Sequence, residues 1–318
     1  MRLRHLSLCA AALLAAVLPA QAAWPDKPVH VIVPYPPGGP SDIVLRLALE
    51  KMQAGLKQPF VLDNRPGAGG NLGAAEAARA APDGSTWFFA TDTVVTVNPH
   101  VYKQLGWKPD DLVPVAVASS FSQTLVCNPA TGFKTLADLV RAAKTQRLNY
   151  ASGGAGVPGH LAMELLMATA GISMEHIPYK GPAPAAQDVI GGQVSCGFLA
   201  GPTVLPHVKS GRLVALAVSG ATRSPVLPAV PTVAEAGFPG YDATFLLVMF
   251  APRATPEPVV KAFHQAFVDA LRSPELGARL ELTDQHVVAG TPAEAAAQLQ
   301  SISRQWGAVA RRIHLSLD

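Results

Sequence analysis

The chain has 318 residues, 49% of them hydrophobic and 15% charged, with 25 Lys and Arg against 22 Asp and Glu. No long basic run occurs, which argues against nucleic acid or an anionic membrane as the main partner. A length of about 300 residues exceeds what one hydrophobic core usually fills, so two domains are expected.

Arg2, Arg4 and His5 open the chain, residues 6–17 are apolar, and Ala20-Gln21-Ala22 supplies the small residues of a cleavage sequence. This is the pattern of a secretory signal peptide over residues 1–22, cut after Ala22. Two basic residues and no acid leave with it, so the exported chain is close to neutral. Cys9 lies inside the apolar stretch, too early for lipid attachment. No later segment has the ~18 apolar residues of a membrane span, and 243–251 reads as one buried strand. A soluble periplasmic protein is expected.

Beyond the leader, strand and helix signals alternate, which predicts an α/β fold with largely parallel sheets. Residues 29–33 form a β-branched strand, a Pro/Gly loop covers 34–40, and 41–55 reads as a well-buried helix. A short strand at 60–62 precedes a glycine-rich loop at 66–73 and an alanine-rich helix at 74–80. Asp83-Gly84 then turns the chain into a strand at 87–91. Strands follow at 113–118 and 124–127. Thr135 opens a helix to 146, with Asp138 completing a partial capping box. A strand at 148–151, a glycine-rich loop and a helix at 158–170 come next. Further strands are expected at 175–178, 194–199 and 213–219. Thr255-Pro256 starts one C-terminal helix. Thr291-Pro292-Ala293-Glu294 caps another that reaches about 312. Cys127 and Cys196 sit in apolar strand-like runs and read as buried thiols. A disulfide is permitted in an oxidising compartment if the two are neighbours.

Two loops share one design. Tyr35-Pro36-Pro37-Gly38-Gly39-Pro40-Ser41-Asp42 and Ser152-Gly153-Gly154-Ala155-Gly156-Val157-Pro158-Gly159-His160 each follow a strand and open a helix. Glycines let backbone N–H groups point outward, and a helix N-terminus adds free N–H donors and partial positive charge. The pair predicts an anion cradle without Lys or Arg. Each loop taken alone also fits an ordinary tight turn, with Ser41 and Asp42 as helix caps and His160 as a partner for local backbone. Gly154 to Gly159 also matches G-x-G-x-x-G. That dinucleotide reading is rejected because the chain is exported and because Glu175 starts its strand rather than ending it. Asp92, after the third strand, is the most suggestive acid for catalysis, and a turn or cap role suits it equally.

Several further stretches join these loops: Trp24-Pro25, Asn64-Arg65-Pro66-Gly67-Ala68-Gly69-Gly70, Ala81-Pro82-Asp83-Gly84, Pro178-Tyr179-Lys180-Gly181, Leu205-Pro206-His207 and Val230-Pro231-Thr232 to Gly237. In this order and spacing the chain resembles the Bug-type substrate-binding receptors of tripartite tricarboxylate transporters. The resemblance implies a type II periplasmic-binding-protein-like α/β fold of two lobes joined by a two-segment hinge. It places lobe 1 at 23–120 and 222–318, lobe 2 at 121–221, and the crossings near 118–122 and 219–223. It also implies a receptor, not an enzyme, that closes on a small carboxylate-bearing molecule and delivers it to membrane transporter subunits. Such a receptor needs no cofactor, metal or nucleic acid, and a monomer is expected. The implied ligand contacts are Tyr35, Gly38, Gly39, Ser41, Asp42 and Thr91 on one lobe. On the other they are Ser152, Gly154, Ala155, Gly156 and His160. Leu199 and Ala200 stand where Asp-Asn is common in such proteins. That wall is therefore less polar and lacks a carboxylate for an ammonium group, which disfavours an α-amino acid and favours an uncharged or aromatic tail. The alternative reading is an exported α/β hydrolase or lyase acting on a small carboxylic acid.

Overall fold

The structure, a computed structural model, describes residues 24–317. The leader assigned to residues 1–22 lies outside them. Among the described residues no helix is long and apolar enough to cross a membrane.

In chain order the elements are β1 (Val29–Val33), α1 (Pro40–Leu56), β2 (Phe60–Asn64), α2 (Asn71–Ala78), β3 (Thr86–Thr91), the single turns α3 (Thr93–Thr96) and α4 (Asn98–Val101), and β4 (Leu112–Phe121). There follow β5 (Gln123–Cys127), α5 (Leu136–Ala143), β6 (Asn149–Ser152), α6 (Pro158–Ala170), β7 (Glu175–Pro178), α7 (Pro182–Ile190), β8 (Cys196–Ala200), α8 (Gly201–Lys209) and β9 (Val214–Val218). The chain closes with β10 (Phe245–Pro252), α9 (Glu257–Leu271), α10 (Pro274–Glu281), β11 (Gln285–Val287) and α11 (Pro292–Arg312).

The strands form two sheets, ordered β11-β4-β10-β3-β1-β2 and β7-β6-β8-β5-β9. The runs of Val, Leu and Phe in β1 and β10 are explained by burial on both faces: every residue of β10 is buried, and in β1 only His30 is exposed. Helix α9 lays Phe263, Phe267 and Leu271 against the first sheet, where Phe263 stacks on Trp87 with ring centroids 3.7 Å apart. Thr135 and Thr291 each exchange hydrogen bonds with the acid three residues on, so both expected capping boxes form. Helix α10 and strand β11 have no counterpart in the sequence reading.

The expectation of largely parallel sheets needs correction. β1 pairs in parallel with β2 and β3, and β6 with β7 and β8. The strands at the crossings run the other way: β10 is antiparallel to β3 and β4, and β5 to β8 and β9. Direction reverses because these strands arrive from the neighbouring sheet rather than by a local strand-helix-strand turn.

One residue, Ser122, separates β4 in the first sheet from β5 in the second. The return runs between Val218 and Phe245. Within it Val233 N–H donates to Val218 O of β9 and the Tyr241 hydroxyl donates to Ala162 O of α6, so Val233 and Tyr241, in the span read as lobe 1, are bonded to elements that accompany the second sheet. Cys127 and Cys196 are register partners across β5 and β8 and form a disulfide. The reading of two buried thiols is corrected; strands 69 residues apart in sequence are brought side by side, which no local pattern records.

Candidate functional site

The loop after β1 is built by its own residues. Gly38 takes a left-handed φ of 87°, Gly39 caps α1 in extended geometry, and Pro40 occupies the first helical position. Asp42 accepts the Gly38 N–H at 3.2 Å and is gripped by Arg46, Nε to Oδ2 and Nη2 to Oδ1, both at 2.9 Å. Its carboxylate therefore braces the loop. The Tyr35 hydroxyl bonds to Thr91 Oγ1, which also pairs with Thr93 Oγ1 at 2.7 Å. Burial pushes the Tyr35 phenol up to about 12.

The loop after β6 is braced from behind. Ser152 Oγ donates to Gly154 O at 2.8 Å and accepts the Gly154 N–H at 3.2 Å. Because that hydroxyl proton is committed, His176 Nε2, 2.7 Å away, is the donor to Ser152 Oγ. His160 Nδ1 accepts the Gly156 N–H at 3.0 Å, which leaves Nε2 to face Glu164 Oε1 at 3.5 Å. The rings of Tyr150, His176 and His160 stack in that order, with centroids 4.8 and 4.1 Å apart. Burial, and next the His160 charge, push His176 down to about 4. Burial works to raise Glu164, but hydrogen bonds from His160 and Tyr150 outweigh it and hold this acid below its ordinary range. The local-backbone reading of His160 thus describes its geometry.

Between the two sheets lies a cavity of about 600 Å³, counted with its mouth. Seven of the residues named from the sequence line it: Tyr35, Gly39, Ser41, Asp42, Thr91, Leu199 and Ala200. Gly38, Ser152, Gly154, Ala155, Gly156 and His160 do not; the second loop presents Gly153, Val157, Pro158 and Gly159 instead. The remaining wall includes Pro36, Phe121, Gln123, Gly181, Pro182 and Phe198, which sequence reasoning missed. Gly181-Pro182 carried a signal, as a third glycine before a helix that begins with proline. Phe121 and Gln123 flank the crossing residue, and only the chain path brings them here. Across the mouth, a Cβ placed on Gly181 would lie 3.4 Å from Pro36 of the opposite loop.

Among the described residues no Lys, Arg or His lines the cavity. The first turns of α1 and α6, 17 and 13 residues long, contribute to its wall, so their free N–H groups and partial positive charge supply the field there. Asp92 is not part of the lining. Its Oδ1 accepts the Leu246 N–H at 2.9 Å, tying the end of β3 to β10, and burial pushes its carboxyl up to about 7. Among the described residues no group of three His, Cys, Asp or Glu is placed to hold a metal. Glu175 begins β7 opposite Asn149, the first residue of β6, at the strand edge away from the loop.

The family model for the tripartite tricarboxylate transporter family receptor matches residues 44–315. The chain belongs to this receptor family. It is 33% identical over 296 residues to the protein BugT of Bordetella pertussis, covering 91% of this chain and 90% of BugT. Rpa4515 of R. palustris, solved with adipate, superposes with a TM-score of 0.88 at 30% identity, covering 92% of this chain and 99% of that one. The periplasmic binding protein BugD superposes with a TM-score of 0.86 at 29% identity, over 92% and 99% of the two chains. Receptors of this family serve membrane transporters, and the two-lobed periplasmic-binding-protein-like fold expected from the sequence is the fold observed.

Proposed function

We propose that this receptor is exported, captures one small carboxylate in the cavity between its two lobes as a monomer, and passes it to the membrane subunits of a tripartite transporter. The observation that carries the reading is the convergence of α1 and α6 on one cavity without a basic side chain, which is the arrangement that favours an anion held by backbone N–H groups. The adipate held by Rpa4515 supports a carboxylate as that anion. On this reading the second lobe extends from Ser122 to about residue 243, the leader is removed after Ala22, and Gly39, Ser41 and Asp42 N–H groups meet the ligand on the first lobe. Ser152, Gly154, Ala155, Gly156 and His160 then act by shaping the second loop rather than by contact.

A hydrolase or lyase is the weaker reading. Thr91 is committed to Tyr35 and Thr93, Asp42 is held by Arg46, and both histidines of the stack lie behind the loop, so among the described residues the cavity lining has no acid or histidine free to act as a base. Isothermal titration against a panel of small carboxylic acids, with mass spectrometry of the recovered acid, tests the proposal. One equivalent should bind and be recovered unchanged. Failure of every acid to bind, or its conversion, would overturn it.

A further inference from the structure

The two lobes also meet at a place where no residue lines the cavity. The tip of the loop after β6, Ala155-Gly156, lies against Gly69, Tyr102 and Leu317 of the first lobe. A Cβ placed on Gly156 would stand 2.8 Å from Leu317 Cδ1 and 3.4 Å from Tyr102 Oη. One placed on Gly69 would stand 3.4 Å from the Ala155 carbonyl oxygen. Gly156 is buried with a φ of 75°, so a side chain there is opposed both by its own backbone and by the other lobe.

Both sides of this contact are held from behind. On the second lobe His160 Nδ1 accepts the Gly156 N–H, and Ser152 Oγ bonds both the N–H and the carbonyl of Gly154. On the first lobe the buried Asn98 Nδ2 donates to Gly69 O and to Asn71 Oδ1, each at 3.0 Å, and Trp107 Nε1 donates to the same Asn71 oxygen at 3.1 Å. Leu317 follows α11, donates its N–H to Val101 O at 2.9 Å, and packs with Tyr102 on the buried core. The cavity residues Gly153, Val157, Pro158 and Gly159 flank the tip on either side. Parting the lobes here pulls the tip away from Leu317 and carries those lining residues with it.

We propose that Leu317 and Tyr102 form a clasp that receives the Ala155-Gly156 tip when the lobes close, and that this contact strengthens the hold on a bound acid. The effect on an acid rests on the receptor reading above. Leu317 is then a positioning residue, acting on the lobes and not on the cavity. A contact made only in the closed form adds to affinity by favouring that form.

The test uses the full chain. In Gly156→Cys/Leu317→Cys a short bismaleimide should join the two lobes without any acid present, read by peptide mass spectrometry, whereas each single variant should take up reagent without joining. Failure of the link overturns the clasp whatever the protein binds. Isothermal titration with adipate and malate then compares wild type, Gly156→Ala, Leu317→Ala and the two combined, beside thermal melts of the free proteins. Gly156→Ala should weaken the bound acid by about fivefold or more, because the added methyl overpacks against Leu317 when the lobes close. Adding Leu317→Ala should restore most of that loss. The strain of alanine at a left-handed φ is present with the lobes open or closed, so it lowers the melting temperature of the single and the combined variant and leaves affinity untouched. An unchanged affinity in Gly156→Ala, or losses that simply add in the combined variant, would overturn the proposal. A wild type that binds neither adipate nor malate overturns the claim on affinity; failure of the wider panel of acids takes the receptor reading with it.

Discussion

A methyl group added at Gly39 would meet nothing within 4 Å, whereas one added at Gly159 would stand 2.2 Å from the Phe198 carbonyl oxygen. Both glycines begin helices that wall the cavity, yet they have opposite uses. Gly39→Leu should project into open space and cost at least a hundredfold in ligand affinity by titration, with a melting point close to wild type. Gly159→Ala should instead push α6 off β8 and destabilise the protein by about 1–3 kcal/mol in denaturant unfolding, the usual cost of overpacking. Equal stability of the two variants would contradict this division. The glycines were legible in the sequence because a glycine between strand and helix has a local signature. Their difference was not, since Phe198 reaches Gly159 only through pairing of distant strands. Gln123 was missed for the same reason: a glutamine opening an apolar strand looks ordinary until the chain path makes it a cavity wall.

The stack of Tyr150, His176 and His160 couples the second loop to the elements behind it, β6, α6 and β7. His176 is held neutral well below the ordinary histidine value of 6.5, at about 4. The folded state therefore binds fewer protons than the unfolded chain between those values. Stability from this residue is full above pH 6.5 and is lost as pH falls through 4. Thermal melts across pH 4–6.5 should show wild type losing stability more steeply than His176→Phe, which keeps a ring in the stack and removes the titration. Parallel slopes would show that the stack is not the acid-sensitive unit. At this scale the sequence was informative: the limits of α6 and β7 and both capping boxes stand where their residues indicate, because caps and periodicity act over a few residues. Strand direction was not legible, since β5 and β10 take theirs from the far side of each crossing.

At the scale of the molecule, the second sheet is stapled and the two sheets are joined by very little chain. The Cys127–Cys196 disulfide links β5 to β8 across 69 residues, enclosing α5 to α7. By loop-closure entropy its removal should cost about 4 kcal/mol. Denaturant unfolding of the double variant Cys127→Ala/Cys196→Ala would measure this, and an unchanged midpoint would be the contrary result. The division into two α/β bodies followed from length and from alternating elements, while the late return of the chain, after residue 241, needed the contact between Tyr241 and Ala162. The forward crossing is shorter still. Ser122 alone lies between β4 and β5, and the cavity residues Phe121 and Gln123 stand on either side of it. The shortest link between the sheets and part of the cavity wall are consequently the same few residues. On the receptor reading proposed above, a ligand seated there would touch the link between the two sheets directly, so that occupancy of the cavity and the setting of that link would be one event.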